Sequence, residues 1–208
     1  MTSHPYYCVM ARITASAKAT VRERLLAAAA RHFARDGLKS ASVDAISLDA
    51  GFAKGTLYNY FPSKEHLFAE VLTEGCRRAI QRYSAAQPRG SVRERLTALA
   101  AADVTVVRED EGFQQVLVRE ALAFREETYP LIVEHLSPFL RTVEEILADG
   151  VRTKEIRHDR PDQELALMFM GILTLLYVQY WGSRGQWPDL DSIPELVVTT
   201  FLDGAAVR

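Results

Sequence analysis

The sequence predicts an all-α chain of about nine helices, and three observations carry that expectation. Apolar residues recur three and four apart through the long segments, as one face of an α-helix requires, and no run alternates as a half-buried strand would. Glycine and proline are sparse, 11 and 8 among 208 residues, and several of them mark the breaks between periodic segments. Helix-start signatures of the form S-x-x-E stand at Ser91–Glu94 and Ser192–Glu195.

Each element follows from local chemistry. Residues 1–16 are expected to form a disordered tail, the first nine having no periodicity. Helix 1 should begin between Ser16 and Thr20 and end at Asp36-Gly37, with Leu25, Leu26, Ala29 and Phe33 as its buried stripe. Ser42 suits an N-cap, since its hydroxyl can accept from an orphan amide. Val43, Ile46 and Ala50 then line one face of a short second helix. Gly51 follows at once and can take the positive φ of a tight turn. The third helix should run from about Lys54 to Tyr60. Leu57 and Phe61 face inward on it, and Phe52 can staple against Leu57 across its start. Pro62 ends it and Ser63 caps a fourth helix, about Lys64 to Ala85. Gln87-Pro88-Arg89-Gly90 breaks the chain before helix 5, which starts at Ser91. Helix 6 should occupy Glu111 to about Arg125. Thr128-Tyr129-Pro130 opens helix 7, which reaches about Lys154 with a kink expected at Pro138. Pro161 suits the first turn of helix 8, ending near Ser183, and Ser192 opens a last helix ending near Ala206. Residues 17–70 thus read as a small three-helix domain and residues 71–208 as a larger helical one.

The segment from Ser42 to Leu67 is the most specific. A short helix, a glycine turn and a second short helix make the helix-turn-helix plan, whose second helix enters the major groove of DNA. The face of that helix opposite Leu57 carries Lys54, Thr56, Tyr58, Asn59 and Tyr60. Lysine can meet guanine or phosphate, asparagine adenine, threonine a thymine methyl or phosphate, and tyrosine a phosphate. Gly55 keeps the helix start slim for close approach. Lys64 lies in the first turn of the next helix, where free amides and a cation together can hold a phosphate. The alternative is that the tyrosines are core and the two helices merely pack, but five polar or amphipathic residues within seven positions, beside a separate apolar stripe, weigh against it.

These residues also carry a resemblance. A-G-F-A-K-G-T-L-Y-N-Y-F-P-S-K-E-H-L, with the upstream A-A-A-R-H-F-A-R-D-G, resembles the DNA-binding signature of the TetR family of transcriptional regulators over roughly Arg22 to Val71. The resemblance implies that Lys54, Thr56, Tyr58, Asn59 and Tyr60 fall where the family contacts bases and backbone, and Ser42 and Lys64 where it grips phosphates. It also implies a repressor that leaves a palindromic operator when a small molecule binds the C-terminal domain. Ala53 departs from the pattern, standing where a Ser or Thr often caps the recognition helix, a loss of about 1 kcal/mol locally. Phe52 replaces a smaller aliphatic, and Ser47 sits where Ala is usual.

Charge agrees with this division. From Met10 to Glu70 there are nine Lys/Arg against six Asp/Glu, whereas from Val71 onward there are sixteen against twenty-one, within a total of −2. The basic excess belongs to the proposed DNA module. Cys8 and Cys76 are the only cysteines and have no ligand spacing, which fits a reducing compartment and argues against a disulfide framework or a zinc site. Ala15-Ser16-Ala17 superficially resembles a cleavage site without an adequate apolar region before it, so a cytoplasmic location is expected.

Leu165 to Val178 is fourteen residues without a charge, L-A-L-M-F-M-G-I-L-T-L-L-Y-V. It is short for a bilayer span and apolar nearly all round, so it needs cover on several sides. A second copy of the chain is the expected cover, through Leu165, Phe169, Leu173, Leu176, Leu196 and Phe201, against burial wholly inside the monomer. A homodimer also suits the DNA reading, since one short helix reads only a few base pairs.

Phe113, Leu117, Phe124, Phe139, Phe169, Leu173 and Tyr177 could line an apolar cavity in the C-terminal domain, with His135, Arg119 and Gln114 to orient a largely apolar effector. Residue by residue, aromatics at helical spacing are more often core. A C-terminal domain that docks a protein partner, or takes no effector, stays open at this point. No phosphate-binding glycine loop, nucleophile elbow or paired His–carboxylate spacing is present, so neither an enzyme nor a cofactor or metal is expected. Of the five histidines, His4 lies in the tail, His32 and His66 in the first domain, and His135 and His158 stand alone.

Overall fold

A computed structural model describes the backbone of residues 5–205 except 124, 127, 128 and 158, and the side chains of residues 16–202 apart from those four. His4, Phe124, His158, the helix start expected at Thr128 and the helix end near Ala206 lie outside the described residues. Nine α-helices are present among the described residues: α1 Pro5–Ser40, α2 Val43–Asp49, α3 Lys54–Tyr60, α4 Lys64–Ala86, α5 Val92–Glu109, α6 Gly112–Leu122, α7 Tyr129–Thr153, α8 Asp162–Gly182 and α9 Ile193–Ala205. The chain divides into two compact units, Met1–Val71 and Leu72–Arg208, with the division inside α4.

Helix α1 starts at Pro5, ahead of the start expected between Ser16 and Thr20. The reason is local: no glycine or proline occurs between Pro5 and Gly37, and a proline fits a first helical turn. Gly37, at φ 73, breaks the helix where the sequence placed its end, leaving one further turn to Ser40. In the first unit, Leu25, Leu26, Ala29 and Phe33 of α1 are fully buried with Ile46, Leu57, Phe61, Leu67 and Phe68. Phe33 meets Phe68 edge to face at 5.1 Å, a favoured aromatic geometry. Ser42 caps α2 by accepting from the Ala45 amide at 3.3 Å. The buried Ser47 hydroxyl donates to the Val43 carbonyl at 2.8 Å, so it is not left unsatisfied in the core. Gly51 takes φ 78 in the turn, and Arg31 reaches Asp49 at 2.9 Å to tie α1 to α2.

In the second unit α5 packs on α7 and α9, α8 lies between α7 and α9, and α6 packs against α5, α7 and α8. The capping box at Ser91 forms both of its bonds. The one expected at Ser192 does not. Ser192 belongs to a 3₁₀ turn, Leu190–Ser192, that winds straight into α9, and its hydroxyl turns back to the Asp189 carbonyl at 2.7 Å. Glu195 instead accepts from Thr199 one turn on. Pro138 lies inside α7, which continues through it.

Helix α8 has two apolar faces. Leu165, Phe169, Leu173, Leu176 and Tyr177 are buried inside the protomer, and Phe169 packs edge to face on Phe201 at 5.5 Å. This corrects the expected partner surface: Leu165, Phe169, Leu173, Leu176 and Phe201 are already covered by their own chain, and Leu196 is half-buried. The outward stripe is Leu167, Met168, Gly171 and Leu175, with the three long side chains 52%, 53% and 58% exposed. By length and composition alone the 21-residue α8 is long enough to cross a membrane, a test that a core helix also passes, and five of its large side chains are buried in the protomer.

Candidate nucleic-acid interface and interior cavity

Helix α3 is held from behind. Leu57 is fully buried and Phe61, just past the helix, is 1% exposed. The opposite side leaves Lys54, Gly55, Tyr58 and Asn59 exposed and Thr56 and Tyr60 half-buried. Ala53 takes the extended backbone of an N-cap and makes no side-chain cap bond, as its missing hydroxyl dictates. The Phe52 ring lies 4.8 Å from the Arg24 guanidinium, a cation–π contact that ties the turn to α1. A Cβ on Gly51 would stand 2.7 Å from the same guanidinium.

Two lysines have protein partners. Lys54 Nζ donates to Asp44 Oδ2 at 3.0 Å, linking α3 to α2, and that hydrogen bond raises its pKa. Lys64 Nζ donates to the Lys39 and Ala41 carbonyls at 3.0 and 3.4 Å, gathering the end of α1. An ammonium has three hydrogens, so Lys54 keeps two and Lys64 one for further acceptors. An open groove beside them is lined by Ala41, Asp44, Lys54, Tyr58, Pro62 and Lys64, among others. Ser42 is exposed at its cap. Lysine, tyrosine, asparagine and serine therefore share one surface with the helix that the sequence singled out.

The second unit encloses a cavity of about 30 Å³, room for roughly two water molecules. Of the expected lining residues, Leu117, Leu173, Tyr177, Phe139 and Gln114 are there. Phe113, Phe169 and His135 are not. Phe113 lies under the Arg78 guanidinium at 4.6 Å, Phe169 packs on Phe201, and His135 Nδ1 meets the Thr73 hydroxyl at 2.8 Å. Arg119 is half-buried elsewhere on α6.

Sequence reasoning missed Asp103, although a lone carboxylate within L-A-A-A-D-V-T-V-V was a readable signal. It is 5% exposed, accepts from Tyr177 OH at 2.6 Å through Oδ2, and from Gln114 Nε2 at 2.8 Å through Oδ1. Burial pushes its pKa up, and the two hydrogen bonds pull back in part. Burial and the neighbouring carboxylate push the Tyr177 phenol well above its ordinary value. The Cys76 thiol on the same wall is pushed up to about 12 by burial and then by Asp103, which keeps it protonated and unreactive. Tyr177 stacks on Trp181 at 5.5 Å. Among the described residues no group of three or more His, Cys, Asp or Glu is placed to hold a metal ion.

The comparisons with known proteins cover both units. Residues 25–71 match the family model for bacterial regulatory proteins of the tetR family, and residues 89–202 match the model for the tetracyclin repressor-like C-terminal domain. The transcriptional repressor KstR2 of Mycolicibacterium smegmatis is 32% identical over 180 residues, 85% of this chain and 86% of that protein. Among solved structures, the fatty acid degradation regulator FadR of Bacillus halodurans superposes with a TM-score of 0.79 at 23% identity, covering 89% of this chain and 99% of that one. FadR of Bacillus subtilis, solved in complex with stearoyl-CoA, gives 0.78 at 22% identity, covering 88% and 98%. An exposed helix that follows a glycine turn on a three-helix core, joined to a larger helical unit matched over residues 89–202, leads to one assignment: the chain belongs to the TetR family of bacterial regulatory proteins and is a DNA-binding transcriptional regulator.

Proposed function

We propose that the chain is a homodimeric repressor that binds a palindromic operator through α3 and leaves it when a small molecule enters the C-terminal unit. The observation that carries the reading is α3 itself, with Leu57 buried behind and Lys54, Gly55, Tyr58 and Asn59 turned to solvent. Asn59 and Lys54 are suited to base edges, and Ser42, Tyr58 and Lys64 to phosphates, with Thr56 and Tyr60 at the margin of the same surface. Lys54 leaves Asp44 to do so, exchanging one anionic partner for another.

Dimerisation is supported by the outward stripe Leu167, Met168, Gly171 and Leu175. Gly171 has open space beside it, so a partner helix can approach closely there. Two copies related by a two-fold axis present two α3 helices to half-sites about one helical turn apart, or a multiple. An effector that favours another spacing must, by linkage, bind the free dimer more tightly than the DNA-bound one. The relative KstR2 is named as a repressor, and FadR of Bacillus subtilis was solved with an acyl-CoA; both support a repressor with a small-molecule site. A protein of this kind acts in the cytoplasm, beside the DNA.

The test is footprinting of the purified protein on the DNA flanking its own coding region. The expected result is protection of an inverted repeat. Protection of a single half-site, or uniform coverage with a steep salt dependence and no sequence preference, would remove the operator-reading dimer.

A further inference from the structure

The polar end of the interior cavity is short of hydrogen-bond donors. Each oxygen of the Asp103 carboxylate accepts once, from Gln114 Nε2 and from Tyr177 OH, and a carboxylate has capacity for about twice that number. Among the described residues its hydrogen-bond partners are Tyr177 and Gln114, and no ion pair reaches it. Gln114 is 3% exposed, and its Oε1 is buried with no hydrogen-bond partner. The cluster therefore holds an unanswered acceptor beside a negative group without a counter-charge, both costly in a low-dielectric interior. The rest of the wall is mostly apolar, chiefly Leu117, Leu136, Phe139 and Leu173, with the Cys76 thiol and Thr174 among them.

We infer that the effector carries a hydrogen-bond donor, an amino or hydroxyl group on an apolar body, which lodges against Gln114 Oε1 and the Asp103 carboxylate. This rests on the reading of the C-terminal unit as an effector site. The donor fills the capacity that Asp103 and Gln114 leave open, and an ammonium also supplies the missing counter-charge. An end made only of acceptors, such as a carboxylate or an acyl carbonyl, would set oxygen against oxygen and is rejected. The cluster is seated against α4: a Cβ added at Gly75 would stand 2.6 Å from Gln114 Oε1, so only the bare backbone there leaves room for the amide.

The cavity as it stands holds only about two waters, so an apolar body must part its wall at Leu117, Phe139 and Leu173. The probes are therefore short matched n-alkylamines, n-alkanols and n-alkanoates of two to four carbons, titrated into the full-length protein. Binding is followed by thermal shift and by the fluorescence of Trp181, which stacks on Tyr177. Amines and alcohols should bind at least tenfold more tightly than alkanoates of equal length. Q114L should reduce that preference at least tenfold, and D103N should remove the advantage of amines over alcohols. G75A, which keeps both side chains but pushes on the Gln114 amide, should weaken both donor series if the other variants fold poorly. Alkanoates binding as well as amines, no binding by either donor series, or a preference untouched by Q114L and G75A would each overturn the assignment. A separate screen of mixed compounds for release of operator DNA distinguishes the two levels. A releasing compound indifferent to Asp103 and Gln114 keeps the effector reading and sinks this one, whereas no releasing compound at all removes both.

Discussion

Replacing Leu167 and Leu175 together with lysine should turn the proposed dimer into folded monomers. The two side chains are 52% and 58% exposed in the protomer, so about half of each is left for a partner to cover. Full burial of a leucine is worth about 1.5–3 kcal/mol, so covering the exposed half contributes roughly 0.8–1.5 kcal/mol per side chain. A two-fold axis repeats both positions, and losing all four contributions amounts to roughly 3–6 kcal/mol, or about 10²–10⁴-fold in the dimer Kd. Four ammonium groups brought together across the axis add repulsion. Because these positions lie on the outward face, the helical circular dichroism and the thermal midpoint measured at monomer concentrations should stay near the wild type. The same change at Leu173 or Leu176 would bury a charge in the core and unfold the chain. Sedimentation velocity across a concentration series reads the Kd directly. A wild-type chain that is monomeric at micromolar concentration, or a folded variant whose Kd is unchanged, would refute the assignment of this face.

Asn59→Ala should relax the preference at one operator base pair, by ~1–3 kcal/mol if the contact is bidentate; fluorescence anisotropy on single-base operator variants reads it, and equal loss on every sequence would argue against base reading. Ala53→Ser places a hydroxyl on a residue that already has N-cap backbone geometry, so chemical denaturation should show a gain of about 1 kcal/mol, and no gain would mean that the turn is set by the Arg24–Phe52 contact alone. Asp103 has a raised folded pKa, so the folded state holds its proton more tightly than the unfolded one. Stability from this group is therefore greatest at low pH and is lost as pH rises from about 3.9, the unfolded value, through the raised folded value. Denaturation of wild type and Asp103→Asn across that window should show a falling contribution in the wild type only; parallel pH profiles would mean that the carboxylate ionises as freely folded as unfolded.

What was legible in the sequence was set by local chemistry, and what was missed depended on which neighbour arrived. The bounds of α2 and α3 follow from a hydroxyl at Ser42, a positive φ at Gly51 and a proline at 62, each acting within a few residues. Ser192 shows the limit even there: the S-x-x-E spacing is correct, but a 3₁₀ turn running into α9 turns the hydroxyl the other way. The same distinction explains the cavity. Aromatic residues at helical spacing suggest its lining, and Phe139 and Tyr177 do line it, yet Phe113 and Phe169 satisfy themselves against Arg78 and Phe201, contacts that sequence spacing does not encode. Asp103, the one residue whose chemistry was out of place in its own helix, was the better signal, because a buried carboxylate among alanines and valines needs an answer from somewhere.

Helix α8 makes the point most sharply. Its charge-free run states that every side must be covered, but a helix apolar all round has no moment to say which stripe meets its own core. Leu165, Phe169, Leu173 and Leu176 make one ladder of three- and four-residue steps, and Leu167, Met168, Gly171 and Leu175 make another, equally apolar. Packing against α7 and α9 decides between them, and it buries the first and leaves the second. Tyr177 and Leu175, two residues apart, consequently point to opposite sides of one rigid rod. Tyr177, which bonds Asp103, and the outward apolar stripe lie on the two faces of the same helix. A ligand that displaces Tyr177 acts on the element that carries Leu175, so the donor-series binding experiment repeated on the monomeric Leu167/Leu175 variant should give altered affinity if the two faces are coupled and identical affinity if they are not.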